Sequence, residues 1–89
     1  MFVIKIETTY KGTRGKPDVI VRSEPLKFVN NDAEAKSFSN DPNNNHLIRK
    51  YGDIKKKEFV FEKWTLADFA EYCREQFNEI NERFDNHNL

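Results

Sequence analysis

Few residues in this chain are of the types that carry out catalysis or bind metals. The two histidines, His46 and His87, lie far apart, one in an Asn-rich stretch and one near the C-terminus, and the single cysteine is Cys73. No Cys-x-x-Cys or His-x-x-x-His spacing occurs, so the sequence offers no recognisable set of metal ligands. Cys73 falls in an apolar stripe, where burial is expected to leave the thiol unreactive. The sequence therefore predicts no catalytic, metal or cofactor site and a protein that is not an enzyme.

A row of carboxylates near the C-terminus is the first candidate binding surface. At about 100° per residue, acidic side chains spaced three or four residues apart fall on one face of a helix, about 5–6 Å from one another. Such a row predicts binding to a basic surface of a larger protein. The alternative is that the row is only the solvent-exposed side of the helix. Equal numbers of basic and acidic residues, 15 of each, count against imitation of a nucleic acid by this row. The row comprises Asp68, Glu71, Glu75, Glu79 and Glu82.

Basic residues in two separate segments form an alternative binding surface. Cations there could meet phosphates while Tyr10 and Tyr51 stack on bases, as in modules that bind single-stranded nucleic acid. The same lysines could instead protect an edge strand from aggregation. A net charge of zero gives the chain no long-range attraction to nucleic acid or to a membrane. The basic set is Lys11, Arg14, Lys16, Lys55, Lys56 and Lys57.

The carboxylate row must be positioned by an amphipathic helix over residues 64–84. Thr65 and Asp68 have the spacing of a capping box, and Trp64 and Phe69 that of a hydrophobic staple. Apolar residues recur every three or four positions, which predicts one stripe packed on the rest of the protein. Phe77 lies in the middle of this stripe, so its truncation is expected to be the most costly in the helix. The stripe is Leu66, Phe69, Cys73, Phe77, Ile80 and Phe84.

The segments before this helix alternate in the manner of β-strands. Residues 2–9, 17–23 and 54–64 are predicted strands, and residues 26–29 are a short strand or a continuation of the second one. Asn31 and Glu34 have capping-box spacing and predict a short helix ending near Asn40. Residues 41–53 allow either a short helix, with Asp41 as N-cap, Pro42 at N1 and Gly52 as C′, or a turn-rich loop followed by a strand over residues 46–51. The Asn run disfavours a helix, so we expect the loop with one helical turn. The predicted fold is α+β: a small antiparallel sheet of three to four strands, covered on one face by the C-terminal amphipathic helix, with a short helix in the middle.

Composition narrows the functional class. The 89 residues indicate one domain, residues 1–89, with neither a signal-peptide pattern nor an apolar run long enough for a membrane helix. The absence of both patterns, together with a single cysteine, indicates a cytoplasmic protein.

The second face of the sheet also carries apolar residues, so the middle segment or a partner must cover it, and a homodimer is possible. Short Asn- and Lys-rich chains without catalytic residues are typical of accessory or inhibitory proteins of phages and mobile elements. We therefore expect a small protein-binding module that occupies a surface of a larger protein, the alternatives being a nucleic-acid-binding module and a homodimeric structural component.

Overall fold

In the part of the chain that the structure describes, four antiparallel strands and three helices make up the fold. The computed structural model describes residues 1–87, and side chains as far as residue 79. The strands are β1 (Phe2–Tyr10), β2 (Val19–Arg22), β3 (Lys27–Val29) and β4 (Ile54–Lys63). The helices are α1 (Asp32–Asn40), a 3-10 helix (Pro42–Ile48) and α2 (Leu66–His87). The predicted α+β class, with a small antiparallel sheet, a middle helix and a C-terminal helix, is confirmed.

Strand β1 is the centre of the sheet. Strand β4 pairs along one of its edges, from Phe2 opposite Lys63 to Tyr10 opposite Ile54. Strands β2 and β3 follow one another along the other edge, where Glu7 pairs with Arg22 and Ile4 with Lys27. These two strands thus continue each other, with an interruption around Glu24 and Pro25, as the sequence allowed.

Hydrogen bonds on both sides of the interruption hold the two halves of this broken edge strand against β1. The Ser23 N–H donates to the carbonyl of Ile6 and the Leu26 N–H to the carbonyl of Ile4, both at 2.8 Å. The Ser23 hydroxyl also accepts the N–H of Ile6 at 2.9 Å. Because Pro25 has no N–H to donate, it is tolerated only at such an interruption.

The hydrophobic core lies on the face of the sheet that α1 covers. Ile4, Val29 and Ala35 are buried there, and four rings surround them: Phe2, Phe38, Phe59 and Phe61. Helix α1 begins with the predicted capping box, since the Glu34 N–H donates to Asn31 Oδ1 at 2.9 Å and Glu34 Oε2 accepts the Asn30 N–H at 3.0 Å. The middle segment therefore covers one face of the sheet. The sequence had allowed either this segment or a partner to do so.

The region between α1 and β4 forms a 3-10 helix and no strand in the part of the chain that the structure describes. Asp41 is its N-cap and accepts the Asn43 N–H at 3.0 Å, and Pro42 occupies the first turn. The Asn44 side-chain amide donates to the carbonyl of Phe38 at 2.9 Å, which ties this helix to α1. The predicted start at Asp41 and Pro42 is right, but the helix ends at Ile48 and not before Gly52. It is longer than the single turn that the sequence favoured, and the strand alternative is wrong. Asparagine side chains compete for backbone hydrogen bonds, which favours the tighter helix over a regular α-helix.

Helix α2 starts as predicted but packs through a different side. The Asp68 N–H donates to Thr65 Oγ1 at 3.1 Å, and Asp68 Oδ2 accepts the Thr65 N–H at 2.9 Å, so the capping box is confirmed. The rings of Phe69 and Tyr72 lie 5.1 and 5.7 Å from the ring of Phe28, on the sheet face opposite α1.

Of the four stripe residues whose side chains are described, Phe69 is half-buried against Phe28 and the other three are exposed, so the predicted burial of the stripe is wrong for those three. Leu66 is 81% exposed and Phe77 63%, and Cys73 is also exposed. At 100° per residue, Phe69 lies about 45° and Tyr72 about 100° from the centre of the stripe, so docking of these two rings on Phe28 turns the rest of the stripe outward. The prediction that Phe77 is the most costly truncation fails for the same reason. Ile80 and Phe84 lie outside the described side chains. Among the described residues, no helix combines the length and apolarity needed to span a bilayer.

Candidate functional site

A cleft of about 670 Å³ lies between α2 and the sheet face that carries Phe28. The rings of Trp64 and Tyr72 form part of its wall, together with Lys5 and Lys63. The remaining charged residues around it are carboxylates: Glu24, Glu62, Asp68, Glu71 and Glu75. The cleft is therefore aromatic and predominantly acidic.

Glu62 is the centre of a polar network at the base of this cleft. Its Oε1 accepts the Trp64 indole N–H at 3.0 Å and lies 3.0 Å from Lys5 Nζ, and its Oε2 lies 2.8 Å from Arg22 Nη1. Burial alone raises the pKa of Glu62, but the hydrogen bonds from Trp64, Lys5 and Arg22 outweigh burial and lower its pKa from 4.5 to about 2. Glu62 is thus held as a carboxylate, and it ties together β1, β2 and β4.

Arg22 and Lys5 extend this network across the sheet. Arg22 Nε lies 2.8 Å from Glu7 Oε2, and the hydrogen bonds to Glu7 and then to Glu62 raise the pKa of Arg22. Lys5 Nζ also lies 5.4 Å from the centre of the Trp64 ring, within the range of a cation–π contact. Both cations nearest the cleft base are therefore neutralised by carboxylates of the same chain.

Three of the five predicted acidic residues, Asp68, Glu71 and Glu75, line the cleft. Asp68 is also the reciprocal partner in the helix cap. Glu79 lies one turn beyond the cleft, and Glu82 falls outside the described side chains. Of the ion pairs among described residues, none involves Glu71 or Glu75. These three residues of the acidic row thus line a concave site, so this part of the row is more than a convex, solvent-exposed helix surface.

The sequence prediction missed the sheet side of this site. Strand alternation places Glu62 on the same face of the sheet as Lys5. This placement could have been predicted from the alternation of apolar and polar residues in the sequence. Glu24 joins the cleft only because the interruption between β2 and β3 carries it under α2, and no local signal gives that position. Tyr72 lies at the border of the apolar stripe, so periodicity alone did not single it out.

The predicted basic set is gathered at one end of the sheet. The Lys11 N–H donates to the carbonyl of Asp53 at 2.9 Å, which brings the β1–β2 loop to the start of β4. Lys55 Nζ lies 2.9 Å from Asp18 Oδ2. The pKa of Asp18 is lowered, first by the hydrogen bond from the Gly12 N–H and then by the one from Lys55.

At this end of the sheet, the positive charges do not all lie on one surface, and some of them are paired with carboxylates. Lys56 Nζ lies 3.3 Å from Glu58 Oε1, so a second lysine is ion-paired. Lys56 and Lys57 are neighbours in β4 and therefore point to opposite faces of the sheet. Arg14 and Lys16 lie in the exposed β1–β2 loop. The set is thus close in space but does not form one uniformly basic face.

The groups that could bind metals or act as nucleophiles are dispersed. Among the described residues, no group of three or more His, Cys, Asp or Glu side chains is arranged to hold a metal ion. His46 Nδ1 lies 2.9 Å from the carbonyl of Asn43 and so is engaged within the 3-10 helix. Cys73 is exposed, which corrects its predicted burial. The sequence matches no protein-family model, no curated protein and no solved structure.

Proposed function

We propose that this chain is a small non-enzymatic protein-binding module whose acidic cleft receives a basic segment of a larger protein. The observation that carries the proposal is the convergence of Asp68, Glu71 and Glu75 with the rings of Trp64 and Tyr72 around one cleft. Such a module would act by occupying a surface of its partner, as an accessory or inhibitory protein does.

The charge arrangement of the cleft favours a lysine or arginine side chain. Lys5 and Arg22 are already engaged by Glu62 and Glu7, and Lys63 is the other cation in the cleft wall among the described residues. The three carboxylates along α2 outnumber this lysine, so the opening is acidic. Opposite charge across an interface speeds association and excludes like-charged partners. The rings of the cleft wall can pack on the aliphatic stem of such a side chain or accept its charge on a face. Lys5 near Trp64 is an example of this contact within the chain itself.

A titration with a short peptide rich in lysine and arginine tests the proposal. Chemical shifts of the ¹⁵N-labelled protein should change at the Trp64 indole N–H and at the first three turns of α2. The double variant Glu71→Gln, Glu75→Gln should bind about tenfold more weakly, since each exposed ion pair contributes roughly 0.2–1 kcal/mol. The matched control is Asp53→Asn, Glu58→Gln, which removes two carboxylates away from the cleft.

Two results would contradict the cleft as the binding site. One is a set of shift changes confined to residues outside it, and the other is equal loss of affinity in the two double variants. The same variants can then be compared as baits in nuclease-treated lysate. A stoichiometric partner should be retained by the wild type and the control and lost with the double variant in the cleft.

A nucleic-acid-binding module at the basic end is the second candidate function. It is supported by the hydrogen bond that brings Lys11 to the start of β4, beside Lys55. The expected behaviour is binding of single-stranded oligonucleotides that weakens steeply as salt is raised. Changing Lys55, Lys56 and Lys57 together to glutamine should abolish that binding in a fluorescence anisotropy assay. A salt-independent response would exclude this function.

A further inference from the structure

The loop that joins β1 and β2 contains a tight turn with an arginine at a position that favours glycine or asparagine. Arg14 has a φ of 52° and Gly15 a φ of 78°, and the Lys16 N–H donates to the carbonyl of Thr13 at 3.1 Å. Two successive positive φ angles are found in type I′ turns, where Asn-Gly is the favoured pair. Arg14 therefore has a left-handed conformation that is unfavourable for most residues with a Cβ.

Hydrogen bonds attach this turn to the sheet. The Lys11 N–H donates to the carbonyl of Asp53 and the Gly12 N–H to Asp18 Oδ1, both at 2.9 Å. A Cβ on Gly12 would collide with the carbonyl oxygen of Lys16, so the two arms of the loop run close together. We call residues 11–16 the hairpin tip. Its three cations are exposed and extend from a backbone that these contacts fix.

The end of the sheet that carries the hairpin tip has more than half of the basic residues of the chain. Residues 11–18 and 49–57, which meet there, contain eight basic and two acidic residues. One of these acids, Asp18, is already paired with Lys55. Five exposed cations take part in no ion pair among the described residues: Lys11, Arg14, Lys16, Arg49 and Lys50. This end is therefore locally cationic.

The hairpin tip is far enough from the acidic cleft for its charge to act separately. Lys5 lines the cleft, and the six residues of extended chain from Lys5 to Lys11 span about 20 Å. At physiological ionic strength, salt screens exposed charges over about 8 Å. A net charge of zero for the whole chain therefore does not prevent this end from attracting a polyanion, because the compensating carboxylates are screened from it.

Two exposed tyrosines lie at the same end of the sheet. Tyr10 is 41% exposed and Tyr51 63%. Tyr10 is opposite Ile54 in the sheet, and the Ile54 N–H donates to the carbonyl of Tyr51 at 3.2 Å. Aromatic rings stack on the unpaired bases of a single strand whatever their sequence. An acidic peptide or a phospholipid head group has no base to stack, so the rings favour a nucleic acid among the polyanions.

We propose that the hairpin tip binds the phosphates of single-stranded nucleic acid, with Arg14 as the central phosphate contact and Tyr51 as a stacking ring. A guanidinium donates two parallel hydrogen bonds to one phosphate, which gives Arg14 a use that offsets its unfavourable backbone conformation. This inference rests on the second candidate function. It moves the centre of the site from Lys55, Lys56 and Lys57 in β4 to the hairpin tip.

Fluorescence anisotropy with a labelled oligothymidylate of about 12 nucleotides measures the contribution of the hairpin tip. The tip variant is Lys11→Gln, Arg14→Asn, Lys16→Gln, in which asparagine suits the left-handed conformation of the turn. At about 50 mM salt it should bind at least about tenfold more weakly than the wild type. The slope of log affinity against log salt should fall by about 2, because each phosphate contact to a single strand contributes about 0.7.

Two further variants separate local charge from total charge and charge from stacking. The matched control Lys27→Gln, Lys36→Gln, Arg74→Gln removes three cations outside the hairpin tip and should leave the salt slope nearly unchanged. Tyr51→Leu removes no charge, so it should keep the salt slope while lowering affinity at least about fivefold. Polyglutamate of similar length should bind more weakly than the oligothymidylate because it cannot stack. Circular dichroism checks that each variant is folded.

A lower affinity and a smaller salt slope for the tip variant, with a lower affinity for Tyr51→Leu, support the inference. If the tip variant binds like its control while the change of Lys55, Lys56 and Lys57 to glutamine still abolishes binding, the inference is overturned and the second candidate function stands. If the wild type does not bind at about 50 mM salt, both are overturned. Equal binding of polyglutamate, or no effect of Tyr51→Leu, overturns the assignment to a nucleic acid.

Discussion

Replacing Glu62 by glutamine tests whether the network at the base of the cleft stabilises the fold. Glutamine keeps the size of the side chain and one acceptor oxygen but removes the charge that Lys5 and Arg22 meet at 3.0 and 2.8 Å. The Glu62 side chain is 22% exposed, so solvent screens these ion pairs less than it screens pairs on an open surface. We therefore expect Glu62→Gln to be more costly than a typical change of a surface carboxylate.

The pKa of Glu62 sets both the size and the pH dependence of this effect. Lowering a carboxyl pKa from 4.5 to about 2 corresponds to roughly 3 kcal/mol in favour of the folded state when the carboxylate is fully ionised. This contribution is present above the unfolded-state pKa and is lost as the pH falls through the folded-state pKa. The difference between wild type and Glu62→Gln should therefore be roughly 2–3 kcal/mol at pH 7 and less than half of that by about pH 3.

Urea unfolding at several pH values between 7 and 3 measures this difference. The matched control is Glu58→Gln, because Glu58 lies on the same strand and face but its side chain is 42% exposed and paired only with Lys56. The control should change stability by less than about 0.5 kcal/mol at pH 7. The interpretation of the network is refuted if both variants behave alike, or if the cost of Glu62→Gln is the same at pH 7 and pH 3.

Two further changes test how the helices are attached. Phe28→Ala should lower the free energy of unfolding by about 2–4 kcal/mol, since the ring packs on three others, whereas Phe77→Ala should change it by less than about 1 kcal/mol in dilute, monomeric protein. A larger loss for Phe77→Ala in chemical denaturation would mean that the side of α2 that carries Phe77 is buried in the monomer. Asn31→Ala should cost about 1 kcal/mol because the N-cap hydrogen bond of α1 is lost. Ser37→Ala, an exposed change within α1, is its control and should be close to neutral in the same assay.

Much of the fold was predictable because it depends on short-range interactions. The capping boxes at Asn31 and Thr65 join residues three positions apart, so the sequence shows both partners together. Strand alternation in β1 and β4 likewise places the residues of each face from local spacing alone. The 3-10 helix was harder to predict, since the Asn run is compatible with a loop and the hydrogen bond from Asn44 to the carbonyl of Phe38 joins two separate elements.

The candidate site was predictable only in part. The spacing of Asp68, Glu71 and Glu75 identified one wall of the cleft, because residues on one helix face are fixed by the helical period. The opposite wall depends on Glu24 and Glu62, which are far from α2 in the sequence. Their positions follow from the interruption of the edge strand and from the way in which α2 turns back over the sheet.

The sequence by itself determined the order of the strands and of the two α-helices, the capped starts of those helices and which residues of each element share a face. Periodicity shows that apolar residues form a stripe on α2, but it does not show which direction the stripe faces, because any rotation of the helix keeps the same spacing. The tertiary structure decided that direction through the contacts of Phe69 and Tyr72 with Phe28. Those contacts bury the border of the stripe, turn Cys73 and Phe77 outward and leave the carboxylates along a cleft.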